Sequence, residues 1–207
     1  MTIQVDRVVV GPIETNCYIV SSQGHVMVVD PGDEAERIIA RLGSAAPELI
    51  VLTHGHWDHL QAVGELVARY HAPVLAHSAE VEVIEDPELN GSFGHGLHPE
   101  ISVDRALEDG DAIELGEASF KVLHTPGHSL GSMCLYEESE GVLFSGDTLF
   151  ADGSVGRTDL FQGDGRALGR SCQTKIAPLP DSCTVYPGHG RATTIGEERR
   201  MNLLLRV

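Results

Sequence analysis

The sequence predicts a layered α/β fold, strands alternating with helices, and three observations predict it. The apolar run Leu49-Ile50-Val51-Leu52 has the length of a buried strand and ends at Thr53-His54-Gly55-His56-Trp57-Asp58-His59. Leu60, Val63, Leu66, Val67 and Tyr70 then recur at helical spacing, so this strand hands over to a helix through that cluster. Further short apolar segments, Ala118 to His124, Val142 to Phe144 and Thr184 to Val185, each run into a glycine-flanked His or Asp. These are His128 in Thr125-Pro126-Gly127-His128-Ser129, Asp147 in Ser145-Gly146-Asp147-Thr148, and His189 in Tyr186-Pro187-Gly188-His189-Gly190. In layered α/β proteins the loops at the carboxyl ends of strands converge into the site.

Taken in order, Ile3 to Val10, Cys17 to Ser21 and His25 to Val29 read as an opening strand meander, broken by Gly11-Pro12 and Gln23-Gly24. Asp33 is expected to cap a helix, with Glu36 three residues on as its capping-box partner. The inner face of that helix is Ile38, Ile39 and Leu42, and Gly43 stops it. Ser78 to Ile84 reads as a short helix. From Pro87 to Val103 the chain is rich in Asn, Gly, Ser, His and Pro with little periodicity, a long loop of the kind that forms lids. Ala106 to Tyr136 reads as several short strands, and 165–176 and 195–205 as the last helical stretches. No linker or repeat interrupts this pattern, so a single domain over residues 1–207 is expected.

The net charge of −17 argues against a nucleic-acid partner, because binding phosphates needs a basic face. With neither a basic-then-apolar leader nor an apolar run long enough to span a bilayer, the expectation is a cytoplasmic protein without a membrane partner. Cysteines 17, 134, 172 and 183 show no paired metal spacing, and Cys17 and Cys134 lie in apolar strand-like runs as small hydrophobes. The imidazole and carboxylate cluster is different. Neutral imidazoles beside carboxylates favour zinc, iron or manganese over calcium or magnesium, and the flanking glycines permit tight loops around such an ion.

The HxHxDH pattern of His54 to His59, followed in order by His128, Asp147 and His189, resembles the metallo-β-lactamase superfamily over nearly the whole chain. The resemblance implies an α/β (α+β) protein, a four-layer αβ/βα sandwich of two mixed β-sheets between outer helices. It also implies two adjacent divalent metal ions, zinc first, with iron or manganese as alternatives. His54, His56 and His128 would hold one ion, Asp58, His59 and His189 the other, and Asp147 would bridge them. Glu14-Thr15-Asn16-Cys17-Tyr18, Asp30-Pro31-Gly32 and Gly156-Arg157-Thr158-Asp159-Leu160 resemble the glyoxalase II-like hydrolases, especially their compact bacterial members. The Gly-Arg-Thr-Asp segment also resembles persulfide dioxygenases. Zinc β-lactamases typically carry cysteine at the position of Asp147, and flavodiiron proteins Glu at that of His56, which disfavours both activities. Only 18 residues follow His189, so the glutathione contacts of the helical domain in full-length glyoxalase II are not expected here.

The function implied is a metal-dependent hydrolase of small-molecule thioesters, acyl conjugates of glutathione or another low-molecular-weight thiol. Asp58 and Asp147 would be its catalytic carboxylates. A metal-bound hydroxide would attack the acyl carbon, and a metal would take the developing oxyanion. A thiolate with a pKa near ~8.5 leaves without a strong general acid. The alternative is a persulfide dioxygenase with one iron on His54, His128 and Asp147; outside enzymes, it is a non-catalytic metal or thiol-conjugate binder. Four further sites carry two readings each. Asp30 either fixes the tautomer of a liganding imidazole or only makes the turn before Pro31-Gly32. Arg157 either holds an anionic substrate group or pairs with Asp159. His95 and His98 read as solvated loop residues before they read as part of the metal mouth. His25, His71, His77 and His124 read as structural. Nothing in the residues signals an oligomeric state.

Overall fold

The computed structural model describes residues 3–96 and 100–206. Two six-stranded mixed sheets form it. The first runs in chain order through β1 (Ile3–Val10), β2 (Thr15–Ser22), β3 (His25–Val29), β4 (Leu49–Val51), β5 (Val74–His77) and β6 (Arg105–Leu107). Its first three strands pair antiparallel, and β3 to β6 pair parallel. The second sheet comprises β7 (Ala112–Leu115), β8 (Ala118–His124), β9 (Met133–Glu137), β10 (Val142–Gly146), β11 (Thr184–Pro187) and β12 (Thr193–Thr194). It is antiparallel except where β10 pairs with β11.

Both faces of both sheets are covered, and the period of two along each strand decides which residue goes where. Tyr18, Val20, Val29 and Val51 join Phe120, Val122, Leu135 and Phe144 in the layer between the sheets. Their neighbours Cys17, Ile19, Val28 and Ile50 face outward, packing against Ile38 and Leu42 of α1 (Ala35–Leu42) and Leu66 of α2 (Val63–Tyr70). On the other side Leu123, Cys134, Leu143 and Val185 pack against Leu168 of α4 (Gly165–Ser171) and Ile195 of α5 (Ile195–Met201). The short α3 (Val81–Glu85) lies between β5 and β6 in the chain. The result is the four-layer helix–sheet–sheet–helix sandwich that the resemblance implied. All four cysteines are buried free thiols. No helix among the described residues is long and apolar enough to cross a membrane.

Helix boundaries differ from expectation in three places. Asp33 does not cap α1: its Oδ1 takes the N–H of the adjacent Glu34, and Glu34, in the left-handed region, stands at the N-cap without a side-chain cap bond. The helix expected over 195–205 is broken at Asn202, whose side chain accepts the Leu204 N–H and opens a 3-10 turn. The stretch 165–176 widens after Ser171 into a π turn, Cys172–Ile176. More important for function is Trp57–His59, which forms a 3-10 turn ahead of α2. Within each sheet, β3 and β4 run alike, and so do β8, β10 and β11, so their carboxyl ends share an edge.

Candidate metal centre

The edge formed by those strand ends collects the seven predicted ligand residues. After β4 come His54 and His56, and the 3-10 turn then aims Asp58 and His59. The loop after β8 brings His128, the bulged end of β10 brings Asp147, and the loop after β11 brings His189. Ligand atoms of His54, His56 and His128 lie within 4.8 Å of one another, as do those of Asp58, His59 and His189. Asp147 stands between the two sets. Its Oδ2 is 3.4 Å from His128 Nε2 and 3.6 Å from His189 Nε2, and its Oδ1 is 3.5 Å from His59 Nε2. Gly188 makes this approach possible, since a Cβ there would run into Asp147 Oδ1 and come within 2.8 Å of His59.

Four of the five imidazoles, those of His54, His59, His128 and His189, are turned by a bond at the far nitrogen. His128 Nδ1–H donates to Arg157 O at 2.7 Å, and His189 Nδ1–H to Ile13 O at 3.2 Å. The Thr53 hydroxyl donates to Asp30 Oδ2 at 2.7 Å, which leaves its oxygen to accept from His54 Nδ1–H at 3.1 Å. Asp30 Oδ2 also accepts from His59 Nδ1–H at 3.1 Å, and its Oδ1 takes the Thr53 N–H at 2.8 Å. Asp30 therefore orients one histidine of each set, the first of the two readings the sequence allowed. It does so while buried and at a φ of 50°, a left-handed conformation that costs a non-glycine residue energy and marks an over-determined site.

These contacts leave the Nε2 atoms of those four rings facing inward, and His56 turns its Nδ1 toward them. His54 Nε2 and His128 Nε2 are 3.2 Å apart, and His56 Nδ1 is 2.8 Å from His128 Nε2. Burial, reinforced by the neighbouring imidazoles, pushes His54 well below its usual range and His56 down to about 3. His128 is also lowered by burial, against the pull of Asp147. These three rings are thus neutral and able to donate to an ion without first losing a proton. Burial alone would raise the Asp58 carboxyl, but His59 and His189 hold it far below the usual carboxylate range. Burial would lower His59 and His189, yet the carboxylates of Asp58 and Asp147 pull both upward. His59 Nε2 and Asp147 Oδ1 are buried without an aligned hydrogen-bond partner. Inward lone pairs, neutral rings and orphaned buried atoms fit divalent cations of the kind that take nitrogen and oxygen ligands.

Several residues that build the site have no chemistry of their own to betray them. Thr15 Oγ1 donates to Asp58 Oδ2 at 2.8 Å. Asn16 Nδ2 donates to Pro187 O and Gly190 O, and the Tyr18 hydroxyl to Pro187 O, so this strand start clamps the His189 loop. Glu80, fully buried at the start of α3, accepts the Gly55 N–H at 2.9 Å and the Gly131 N–H at 2.6 Å. One carboxylate thus ties the loop of His54 and His56 to the loop of His128. A Cβ at Gly131 would lie 2.6 Å from the Glu80 backbone nitrogen, so only glycine allows this contact.

Above the seven side chains opens a cavity of about 720 Å³. The long loop after Pro87 forms one wall: Leu89, Asn90 and His95 line the cavity, and His95 stacks on Trp57 at 3.9 Å. His98 lies outside the described residues. Arg157 also lines the cavity, with Nε and Nη2 both donating to the Asp159 carboxylate at 2.7 and 2.8 Å. His25 pairs with Glu48, His77 stacks on His124, and His71 ends α2, all away from the cavity.

Comparison with known proteins agrees with this geometry. The model of the metallo-β-lactamase superfamily matches residues 10–191. A crystal structure of the B3 metallo-β-lactamase BLEG-1 is 40% identical, with a TM-score of 0.92 over 99% of this chain and 100% of that one. A di-iron-bound form of TTHA1623 is 39% identical, with a TM-score of 0.86 over 96% and 99% of the two chains. The hydroxyacylglutathione hydrolase GloC of Haemophilus influenzae is 33% identical over 97% of each chain. A family match across most of the length, on the same strand ends that gather the histidines, means that this chain belongs to the metallo-β-lactamase superfamily.

Proposed function

We propose that the protein is a metal-dependent thioester hydrolase, acting on an acyl conjugate of a low-molecular-weight thiol. The composition of the cavity carries this reading. Among the described residues its lining includes no Ser, Thr, Cys, Lys or Tyr, so it offers no hydroxyl, thiol or amine nucleophile, and outside the ligand set its ionisable side chains are Glu88, His95 and Arg157. His54, His56 and His128 would hold one divalent ion, Asp58, His59 and His189 a second, and Asp147 would bridge them. Ions bound there supply a water of lowered pKa and a Lewis acid for the acyl oxygen. Asp58 Oδ2 accepts from Thr15 Oγ1 and lies 3.2 Å from His59 Nε2 and 3.3 Å from His189 Nε2, so this oxygen would face the second ion, with the carboxylate placed to orient the attacking water. Trp57, Phe150 and the loop around Leu89 shield the acyl carbon from bulk solvent. A thiolate leaves without protonation and asks no proton donor of the site, whereas an amine would need one. The activity named for GloC supports the same chemistry.

The name of BLEG-1 gives a second reading, hydrolysis of a β-lactam amide, despite Asp147 standing where zinc β-lactamases typically have cysteine. One experiment separates the readings. Protein loaded separately with zinc and with iron is assayed on S-D-lactoylglutathione, acetyl-N-acetylcysteamine, a cephalosporin and glutathione persulfide. Chelator-sensitive thiol release is the expected result. Ring opening alone, or oxygen uptake with the persulfide alone, overturns the thioester reading in favour of the corresponding alternative.

A further inference from the structure

The opening of the cavity is apolar where the rest of a chain with net charge −17 is strongly acidic. Ile13, Leu160 and Phe161 are 49, 41 and 55% exposed, yet all three line this mouth. Phe150 and Val155 continue the apolar surface inward toward the ligand residues. Large side chains left in water around one opening mark a binding surface rather than core packing.

The charges around the mouth sharpen the point. Arg157 is the sole Lys or Arg among the described residues lining the cavity, and both donors on one edge of its guanidinium are committed to Asp159. Glu88 adds a further negative charge to the lining. A glutathione thioester carries two carboxylates and one ammonium. Charged groups are favourable in a site only where opposite charges or donors replace their water, and beside the His95 ring stacked on Trp57 this rim supplies an internally neutralised pair, one further carboxylate and hydrocarbon.

We propose that the pocket is built for a thioester whose thiol carrier is uncharged and largely apolar, with Ile13, Leu160 and Phe161 as the residues that select it. This specificity rests on the thioester reading above. The acyl carbon lies at the floor, and the carrier leaves through the mouth across the Phe161 ring.

The test presents the same acyl group on two carriers, glutathione and the neutral N-acetylcysteamine, to the metal-loaded full-length protein. It also measures calorimetric binding of the uncleavable S-hexyl thioethers of both thiols. The expected kcat/KM is roughly tenfold or more higher for the neutral carrier, with the neutral thioether the tighter ligand. Phe161→Lys, which adds a cation at the mouth, is expected to shrink that ratio through KM. Phe161→Ser should raise KM for the neutral ester by roughly fivefold. Equal or better hydrolysis and binding of the glutathione compounds overturns the proposal. So does a KM for the glutathione ester that rises steeply with salt, because it would reveal cationic contacts. Failure of the hydrolase reading shows differently: neither ester is cleaved, while the thioether affinities still decide which carrier the pocket takes.

Discussion

At and beneath the floor of the cavity His54, His59 and His128 are each no more than 2% exposed, and a second bond holds every one of them from behind. At its rim Ile13, Leu160 and Phe161 are 41 to 55% exposed, and the Arg157 guanidinium pairs with its neighbour Asp159. Floor positions are over-determined, so a substitution there moves several groups at once. Rim residues touch the ligand set only through backbone, Arg157 O on His128 and Ile13 O on His189, so a side-chain substitution there is expected to change what the cavity admits more than the ligand geometry. On the proposed function, reaction type would reside in the first region and substrate choice in the second.

The largest expected effect tests the floor. Asp147→Ala removes the carboxylate between the two sets and is expected to strip bound metal and lower turnover by on the order of a thousandfold or more. Elemental analysis of the variant checks it, and retained stoichiometry with activity would sink the bridging role. Asp30→Asn touches no substrate but loosens His59 directly and His54 through Thr53. Metal affinity should fall by about 10- to 100-fold in a chelator competition. An unchanged affinity would reduce Asp30 to a turn residue.

A smaller effect is expected at Glu80. In Glu80→Gln an amide nitrogen faces one of two N–H donors, leaving a buried donor unpaired at a cost of about 1–3 kcal/mol. Urea denaturation of the metal-free protein measures this, and wild-type stability would show that the two loops need no clamp. The smallest effect is at the rim. Asp159→Ala frees the Arg157 guanidinium, and an exposed pair of this kind shifts affinity by only about two- to fivefold. KM for a glutathione thioester should fall while metal content stays constant; a change in metal content would erase the distinction between floor and rim.

The floor was legible in the sequence because its chemistry is concentrated. His54 to His59 fall within one strand–turn passage, and His128, Asp147 and His189 each sit beside glycine at a strand end. The supporting residues were not legible as such. Asp30 read equally well as a turn aspartate, because its partner His59 is 29 residues away. Glu80 reads as an ordinary helix-start glutamate, and its two acceptor bonds reach Gly55 and Gly131 in different loops. Phe161 could have belonged to a core. Local errors had a local cause: at Asp33 and Asn202 a side chain bonded its own neighbourhood and moved a helix end.

Taken by itself, the sequence determined the class of fold, through apolar periods of two and of 3.6, and the candidate ligand set, through residue types unsuited to anything else at buried strand ends. Tertiary structure alone decided which nitrogen of each imidazole faces inward, which buried carboxylate holds two loops together, and that the mouth is apolar. Those properties depend on contacts between segments far apart in the chain, and the pattern of neighbours along the chain contains no record of them.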